Sequence, residues 1–397
     1  MRVAWLNEHL LYWNGGVKYI LEVCKRLKGK YKLDIFVTRA SADNKRIFNQ
    51  SGLEIHEFSK VAANKIIYWV LYPVFLVINY LKLKKLLESY DILISSSPTT
   101  NIISSWLNKK RIFIAFEVNS WLYSKDYIGG LPKIQKSIIK LGRPFAIQID
   151  KIAMRKADVL VTLSNYPAHG IEIIYKLKPE IVYEGVDINL FTRKSDRNLA
   201  KKYAPFDIVF HVASYLSPTK GTSYIVQALP DVIKHIPSCR LLILNPLQEG
   251  EKRDRLMASA RELGVSQYVE FLPPLKEEEL PFYYSLAKVV VQPSLDENVH
   301  LPLIEGAACR VPGIAFSGRF SSEEIVDGET GFLVPRGDVQ KLSQAIVQLL
   351  GNPELREHMG LRARKWVEKQ FTWDNNAAMM SKLIDNMLDS ANCQSDG

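Results

Sequence analysis

The chain has 397 residues, 47% apolar and 24% charged, which is long enough for two ordinary cores and too apolar for a disordered segment. Its four cysteines, Cys24, Cys239, Cys309 and Cys393, stand far apart with no C-x-x-C pair, which argues against a zinc site or a disulfide framework and fits a reducing cytosol. The net charge of +10 is dispersed and comes with no nucleic-acid motif, so it points to an anionic small ligand, a membrane surface or simply a soluble basic exterior.

In chain order, Val3-Ala4-Trp5-Leu6 reads as a first strand. No apolar core of signal-peptide length precedes it, so the mature chain is expected to begin near Met1 in the cytoplasm. After the strand come Asn14-Gly15-Gly16-Val17 and a helix pattern with Val17, Ile20, Leu21 and Cys24 at three- and four-residue intervals. Glycines at such a point let the backbone approach a ligand, although the pair is not a G-x-G-x-x-G fingerprint and gives a dinucleotide cofactor no support. Strand patterns recur at Leu33–Thr38, Asp91–Ser95, Arg111–Phe116 and Asp158–Leu163 with helical patterns between them. That alternation predicts a parallel sheet covered on both faces.

The most apolar run, Ile66–Leu81, is shorter than the roughly 20 residues of a membrane span and contains Pro73 and Asn79. Two readings stay open for residues 66–85. One is a packed helix kinked at Pro73. The other is an interfacial helix with Tyr68, Trp69, Tyr72 and Phe75 in lipid and Lys82, Lys84 and Lys85 at anionic head groups, giving peripheral membrane contact.

From Asp207 a second alternating series begins, with strands at Ile208–Val212, Arg240–Leu244, Val269–Leu272, Val289–Gln292 and Gly313–Phe316. After the first of these lies Ser214-Tyr215-Leu216-Ser217-Pro218-Thr219-Lys220-Gly221. After Val289–Gln292, Glu297 falls in a loop and Glu305, eight positions on, in the following helix. A carboxylate accepts two hydroxyl protons from a sugar diol, and a nearby helix start favours a phosphate. Together they describe a nucleotide sugar, against the plainer reading of two solvated glutamates. Further on, Asp327-Gly328-Glu329-Thr330-Gly331 is turn chemistry before Phe332-Leu333-Val334 and reads as a hairpin. An amphipathic helix follows Phe371-Thr372-Trp373, with Met380, Leu383 and Met387 as packing residues.

Glu297-(seven residues)-Glu305, with Pro293-Ser294-Leu295, Leu301-Pro302 and Ala308-Cys309 in register, resembles the E-(seven residues)-E motif of the family-four retaining glycosyltransferases. Lys220-Gly221, Gly185-Val186-Asp187 and Asp327–Val334 match further motifs of that family. The resemblance implies an α/β chain of GT-B fold, two Rossmann-like domains facing each other across a cleft, with a C-terminal helix crossing back to the first. The domains expected are 1–203, completed by helix 372–390, for the acceptor and 204–371 for the donor. It also implies retaining transfer of a sugar from a nucleoside diphosphate sugar to the hydroxyl of a sugar or other acceptor, with no metal and no cofactor; the interfacial reading of residues 66–85 adds a lipid-linked acceptor at the inner face of the membrane, and no nucleic acid is expected.

By the same resemblance Glu297 would hold the donor sugar hydroxyls, Lys220 the pyrophosphate and Glu305 the ribose. Gly15 and Gly16 would face the donor phosphates, and Gly221, Asn298, Val299, His300, Leu301 and Tyr215 would complete the donor set. The chain departs from the family pattern in three places. Tyr215 replaces an arginine, with Arg310 and Arg319 as candidates for the missing cation; Asn298 and His300 replace two loop glycines; and Phe116-Glu117-Val118-Asn119 lacks a histidine found in relatives, with Glu117 nearest its position. These departures keep a non-catalytic partner of another transferase as an alternative, and a nucleotide-sugar epimerase as a weaker one.

Overall fold

The computed structural model describes residues 1–59, 72–118, 120–123, 133–213, 216–246, 250–295, 299–318 and 321–395, with only the backbone at 120, 121, 133–141 and 390–395. They divide into two compact units, Met1–Tyr183 with Trp373–Gly397, and Glu184–Thr372.

The first unit is built on a seven-stranded parallel sheet of order β3-β2-β1-β4-β5-β6-β7. The strands are β1 (Arg2–Leu10), β2 (Lys32–Ala40), β3 (Ile55–Glu57), β4 (Ile92–Ser95), β5 (Lys110–Ala115), β6 (Val159–Thr162) and β7 (Glu180–Ile181). Central strands such as Ile92-Leu93-Ile94-Ser95 are buried throughout, as a sheet covered on both faces requires. The strand order reverses between β1 and β4, and in such sheets ligands bind beyond the carboxyl ends of the strands at that reversal.

The terminal helix Trp373–Ser395 completes this unit. Trp373 is fully buried with its ring edge-on to Tyr19 at 5.8 Å, and Arg26 Nε donates to Asp374 Oδ1 at 2.6 Å. Met380, Ile384 and Met387 form its buried stripe, while Leu383 is only half-buried.

The apolar run at 66–81 falls partly outside the described residues, including Tyr68 and Trp69. The helix Tyr72–Leu86 that follows includes Pro73. Tyr72 and Phe75, expected to enter lipid, turn inward instead: Phe75 is buried and Tyr72 bonds Thr99. Aliphatic residues take the outer face, where Val74, Val77, Ile78 and Leu81 are exposed. Among the described residues no helix is long and apolar enough to cross a membrane.

The second unit repeats the architecture with six parallel strands in the order β10-β9-β8-β11-β12-β13. They are β8 (Asp207–Val212), β9 (Cys239–Leu244), β10 (Val269–Leu272), β11 (Val289–Gln292), β12 (Gly313–Phe316) and β13 (Gly331–Val334). The order reverses between β8 and β11.

Two expectations change here. Gly331–Val334 is no hairpin arm; it runs parallel to β12 as an edge strand, in register Gly313↔Gly331 to Phe316↔Val334. The close pairing requires the glycine, since a Cβ on Gly331 would stand 2.2 Å from Gly313 O. The expected boundary at 203/204 moves to 183/184, because residues 184–203 are anchored in the second unit. Arg364 Nη1 donates to Phe191 O at 2.8 Å, the Phe191 ring packs 6.0 Å from Tyr284, and Tyr203 Oη donates to Glu270 Oε1 at 2.8 Å.

Candidate functional site

The two loops that leave β8 and β11 at the reversal of the second sheet are locked to each other. β8 runs out through Ala213 to the short turn Pro218–Lys220 and to Gly221, which has φ 72°. A Cβ on Gly221 would lie 1.9 Å from Pro293 O, so backbone from the β11 loop occupies the space a side chain would need. Leu295 N–H donates to Thr219 O at 2.7 Å and Ser294 Oγ to Lys220 O at 3.5 Å, which completes the clamp.

Lys220 sits where the two loops meet. It is only 9% exposed, and burial pushes its ammonium down to about 8 from an ordinary lysine value. The helix Thr222–His235 starts two residues later, and its first turn offers backbone N–H groups beside the lysine. Beneath them, His211 is fully buried, with Nδ1–H donating to Val291 O at 2.8 Å and Nε2 accepting from Thr222 Oγ1 at 2.9 Å. Burial and the nearby Lys220 charge hold His211 down to about 4, so it stays neutral and ties β8, β11 and the helix start together.

The β11 loop leads into the helix Leu301–Ala308. Glu305 lies inside it at 6% exposure, and the buried Tyr284 donates its hydroxyl to Glu305 Oε2 at 2.7 Å. Burial and the Glu305 charge keep that phenol well above its ordinary value, so it remains a donor. His300, 3% exposed, is held twice by the buried Glu324: its backbone N–H donates to Oε1 at 2.6 Å and Nδ1–H to Oε2 at 2.7 Å. This fixes the orientation of the ring.

Lys220, Gly221, Val299, His300, Leu301 and Glu305 therefore stand on two interlocked loops and the helix that follows. Glu297, Asn298, Tyr215 and Arg319 lie outside the described residues. Arg310 does not reach Lys220: it follows the helix Leu301–Ala308, next to Pro312, whose carbonyl bonds Val290 near the amino end of β11. Gly15 and Gly16, in the first unit, are the opening helical residues rather than a turn; Asn14 Oδ1 caps the helix on Val17 N–H at 3.0 Å, and neither glycine has a left-handed φ. Glu117 is exposed at the end of β5.

Sequence reasoning missed Tyr284, Glu324, His211 and Thr222. Tyr284 and Glu324 each act on a residue more than twenty positions away, and no local spacing announces such a partner. Tyr284→Phe should leave the fold intact and lower the unfolding free energy by about 1 kcal/mol, because it removes one hydrogen bond to a buried carboxylate. Chemical denaturation of wild type and variant reads this directly.

The reversal in the first sheet has its own polar cluster. Thr99 Oγ1 donates to Glu8 Oε2 at 3.0 Å, so the Tyr72 hydroxyl, 3.1 Å from Thr99 Oγ1, acts as the donor to it. The buried Asp150 accepts from Tyr175 at 2.6 Å and Tyr123 at 3.1 Å. No group of three or more potential metal ligands occurs among the described residues.

Residues 193–366 match the family model described as glycosyl transferases group 1. A GDP-mannose-dependent alpha-(1-6)-phosphatidylinositol monomannoside mannosyltransferase of Mycolicibacterium smegmatis is 27% identical over 254 residues, 60% of this chain and 66% of that protein. A D-inositol 3-phosphate glycosyltransferase of Jonesia denitrificans is 30% identical over 241 residues, 57% of this chain and 56% of that protein. The matches thus span between about half and two thirds of the length of these curated relatives. Among solved structures, sucrose-phosphate synthase from Thermosynechococcus elongatus superposes with TM-score 0.76 at 18% identity, covering 98% of this chain and 99% of that one. Anabaena Alr3699/HepE in complex with UDP superposes with TM-score 0.79 at 16% identity, covering 97% and 100%. These likenesses establish the GT-B fold.

Proposed function

We propose that this chain, which belongs to the glycosyl transferases group 1 family through its second unit, transfers a sugar from a nucleoside diphosphate sugar to an acceptor hydroxyl. The observation that carries the reading is Lys220: a desolvated ammonium beside a helix start, on a loop clamped at the reversal of a parallel sheet. That combination suits a diphosphate.

In this reading Lys220 and the amides of Thr222 and Ser223 hold the pyrophosphate, Glu305 takes the ribose diol, and His300, fixed by Glu324, contacts the donor. Glu297 takes the sugar hydroxyls. As the glycosidic bond breaks, charge builds on the departing diphosphate, and Lys220 stabilises it with no metal required. The leaving phosphate oxygen then accepts the acceptor's proton on the face from which it departs, and the configuration is retained. The acceptor binds in the first unit near Glu8 and Thr99. The names of the relatives favour a lipid-linked or inositol phosphate acceptor.

Donor binding should depend on pH with a definite sign. A lysine lowered to about 8 is protonated below that value and neutral above it, so affinity for a nucleoside diphosphate is full at pH 7 and falls as pH rises through 8. Calorimetry at pH 7 and pH 9.5 should show a drop of about tenfold, which Lys220→Arg removes because arginine stays charged. An unchanged affinity in the wild type would count against the assignment.

The outer face of Tyr72–Leu86 supports a membrane-facing location. Val74, Val77, Ile78 and Leu81 are exposed on one side of it, and Leu81 also lines a hollow of about 350 Å³ with Lys84, Lys85, Glu88 and Lys109, the last bonded to the Glu88 and Tyr90 carbonyls. Aliphatic residues rimmed by lysines match an anionic lipid surface. The protein should float with anionic liposomes at low salt, and Leu81→Glu with Lys85→Glu should abolish flotation while leaving transfer to a soluble acceptor unchanged. Equal flotation of both proteins would remove the membrane role.

A further inference from the structure

We infer that the second unit carries a binding site for a phosphate-bearing anion at the opposite end of its sheet from the donor loops. A hollow of about 390 Å³ lies there, with Arg193, Lys288, Arg310, Arg356, Glu354 and Glu357 in its lining. Lys288 precedes β11 and Arg310 follows the helix Leu301–Ala308, whereas the donor loops leave the other ends of both elements. The four residues of β11 alone separate the two places by about 13 Å.

The charges in the hollow are not balanced from within. Arg193 is paired with Glu357 at 3.2 Å. Arg356 spends Nη1 on Leu349 O at 2.7 Å and Leu350 O at 3.1 Å, where it caps a helix end. Among the described residues neither the Lys288 nor the Arg310 side chain has an ion-pair or hydrogen-bond partner, which leaves Glu354 as the one lining carboxylate outside the Arg193 pair. Burial also pulls the Arg356 guanidinium below its ordinary value, although Asp207 and Glu357 act against the shift.

Backbone strain is the second observation. Arg310 has φ 62°, in the left-handed region where glycine is the low-strain residue after a helix. Its carbonyl is packed against the helix Pro353–Gln370 at Gly360, where a Cβ would stand 2.1 Å from Arg310 O. The chain thus holds a cation in a strained turn at the rim of a positively charged hollow, and strain of this kind is retained where neighbouring structure enforces it. The Arg310 guanidinium and the Lys288 ammonium, beside the partly committed Arg356, match the oxygens of a phosphate monoester or diphosphate, and the volume is that of a small-ligand pocket.

The test uses inorganic pyrophosphate and a full-length chain whose donor lysine is removed. Lys220→Ala should still bind pyrophosphate by calorimetry, and adding Lys288→Ala and Arg310→Gly should weaken that binding at least tenfold. Arg310→Gly relaxes the turn, so the melting temperature should hold or rise; Lys220→Ala with Lys288→Ala alone is the second variant and should lose affinity in part. No binding to Lys220→Ala, or equal affinity with and without the added substitutions, would overturn the inference.

Discussion

Replacing Lys220 by alanine should lower sugar transfer by about 100-fold or more, the range seen when one preorganised charge-stabilising donor is removed. The lysine is nine-tenths buried, and its loop is fixed by Gly221 against Pro293 and by Thr219 against Leu295, so in the role proposed for it no reorganisation is needed on binding. Both kcat and donor affinity should fall, because the ammonium offsets charge already on the diphosphate and more of it as the bond breaks. Truncation also removes the packing of a buried side chain, so some loss of thermal stability is expected beside the loss of transfer. Steady-state kinetics with thermal unfolding separate the two effects, and wild-type turnover in the variant would remove Lys220 from the chemistry.

Gly221→Ala should be the most damaging single-methyl change in the second unit. The new Cβ meets backbone, Pro293 O at 1.9 Å, in a residue with φ 72°, so left-handed strain adds to a clash that neither loop can relieve without parting. A loss of about 2 kcal/mol or more is expected, together with at least a tenfold loss of donor affinity as Lys220 leaves its position. Gly264 is the internal control: its φ is 68°, but nothing stands within 4 Å of the added Cβ. Gly264→Ala should therefore show only the strain, about 1 kcal/mol, with donor affinity unchanged. Similar losses in both variants would mean that the two loops are not clamped as described.

What was legible in the sequence follows from which signals are local. Buried runs such as Val289–Gln292 and Gly313–Phe316 announce themselves by composition, and these strands fall where the β-branched residues put them. The edge strands Ile55–Glu57 and Glu180–Ile181 are three and two residues long, too short for any period to show. Gly331–Val334 sits after turn residues that suit a hairpin, and only the space at Gly313 O tells that it lies parallel to β12.

The site divides in the same way. Lys220 and Glu305 could be picked out from motif spacing. The residues that hold the site in place could not, because Tyr284, Glu324 and Thr222 act through contacts 21, 24 and 11 positions away. Arg310 failed as a substitute cation for a topological reason: a residue just after the helix that follows a parallel strand returns to the strand's amino end, far from the loop it was expected to serve. Residues 184–203 moved to the second unit because Arg364, far along the chain, binds their carbonyls.

The most direct test is a crystal structure of the second unit's donor site occupied by a nucleoside diphosphate, soaked or co-crystallised with the full chain. The diphosphate should lie within hydrogen-bond distance of Lys220 Nζ and the Thr222 amide, with the ribose hydroxyls on Glu305. Density for the nucleotide at any other place, or a bound nucleotide whose phosphates leave Lys220 untouched, would contradict the assignment.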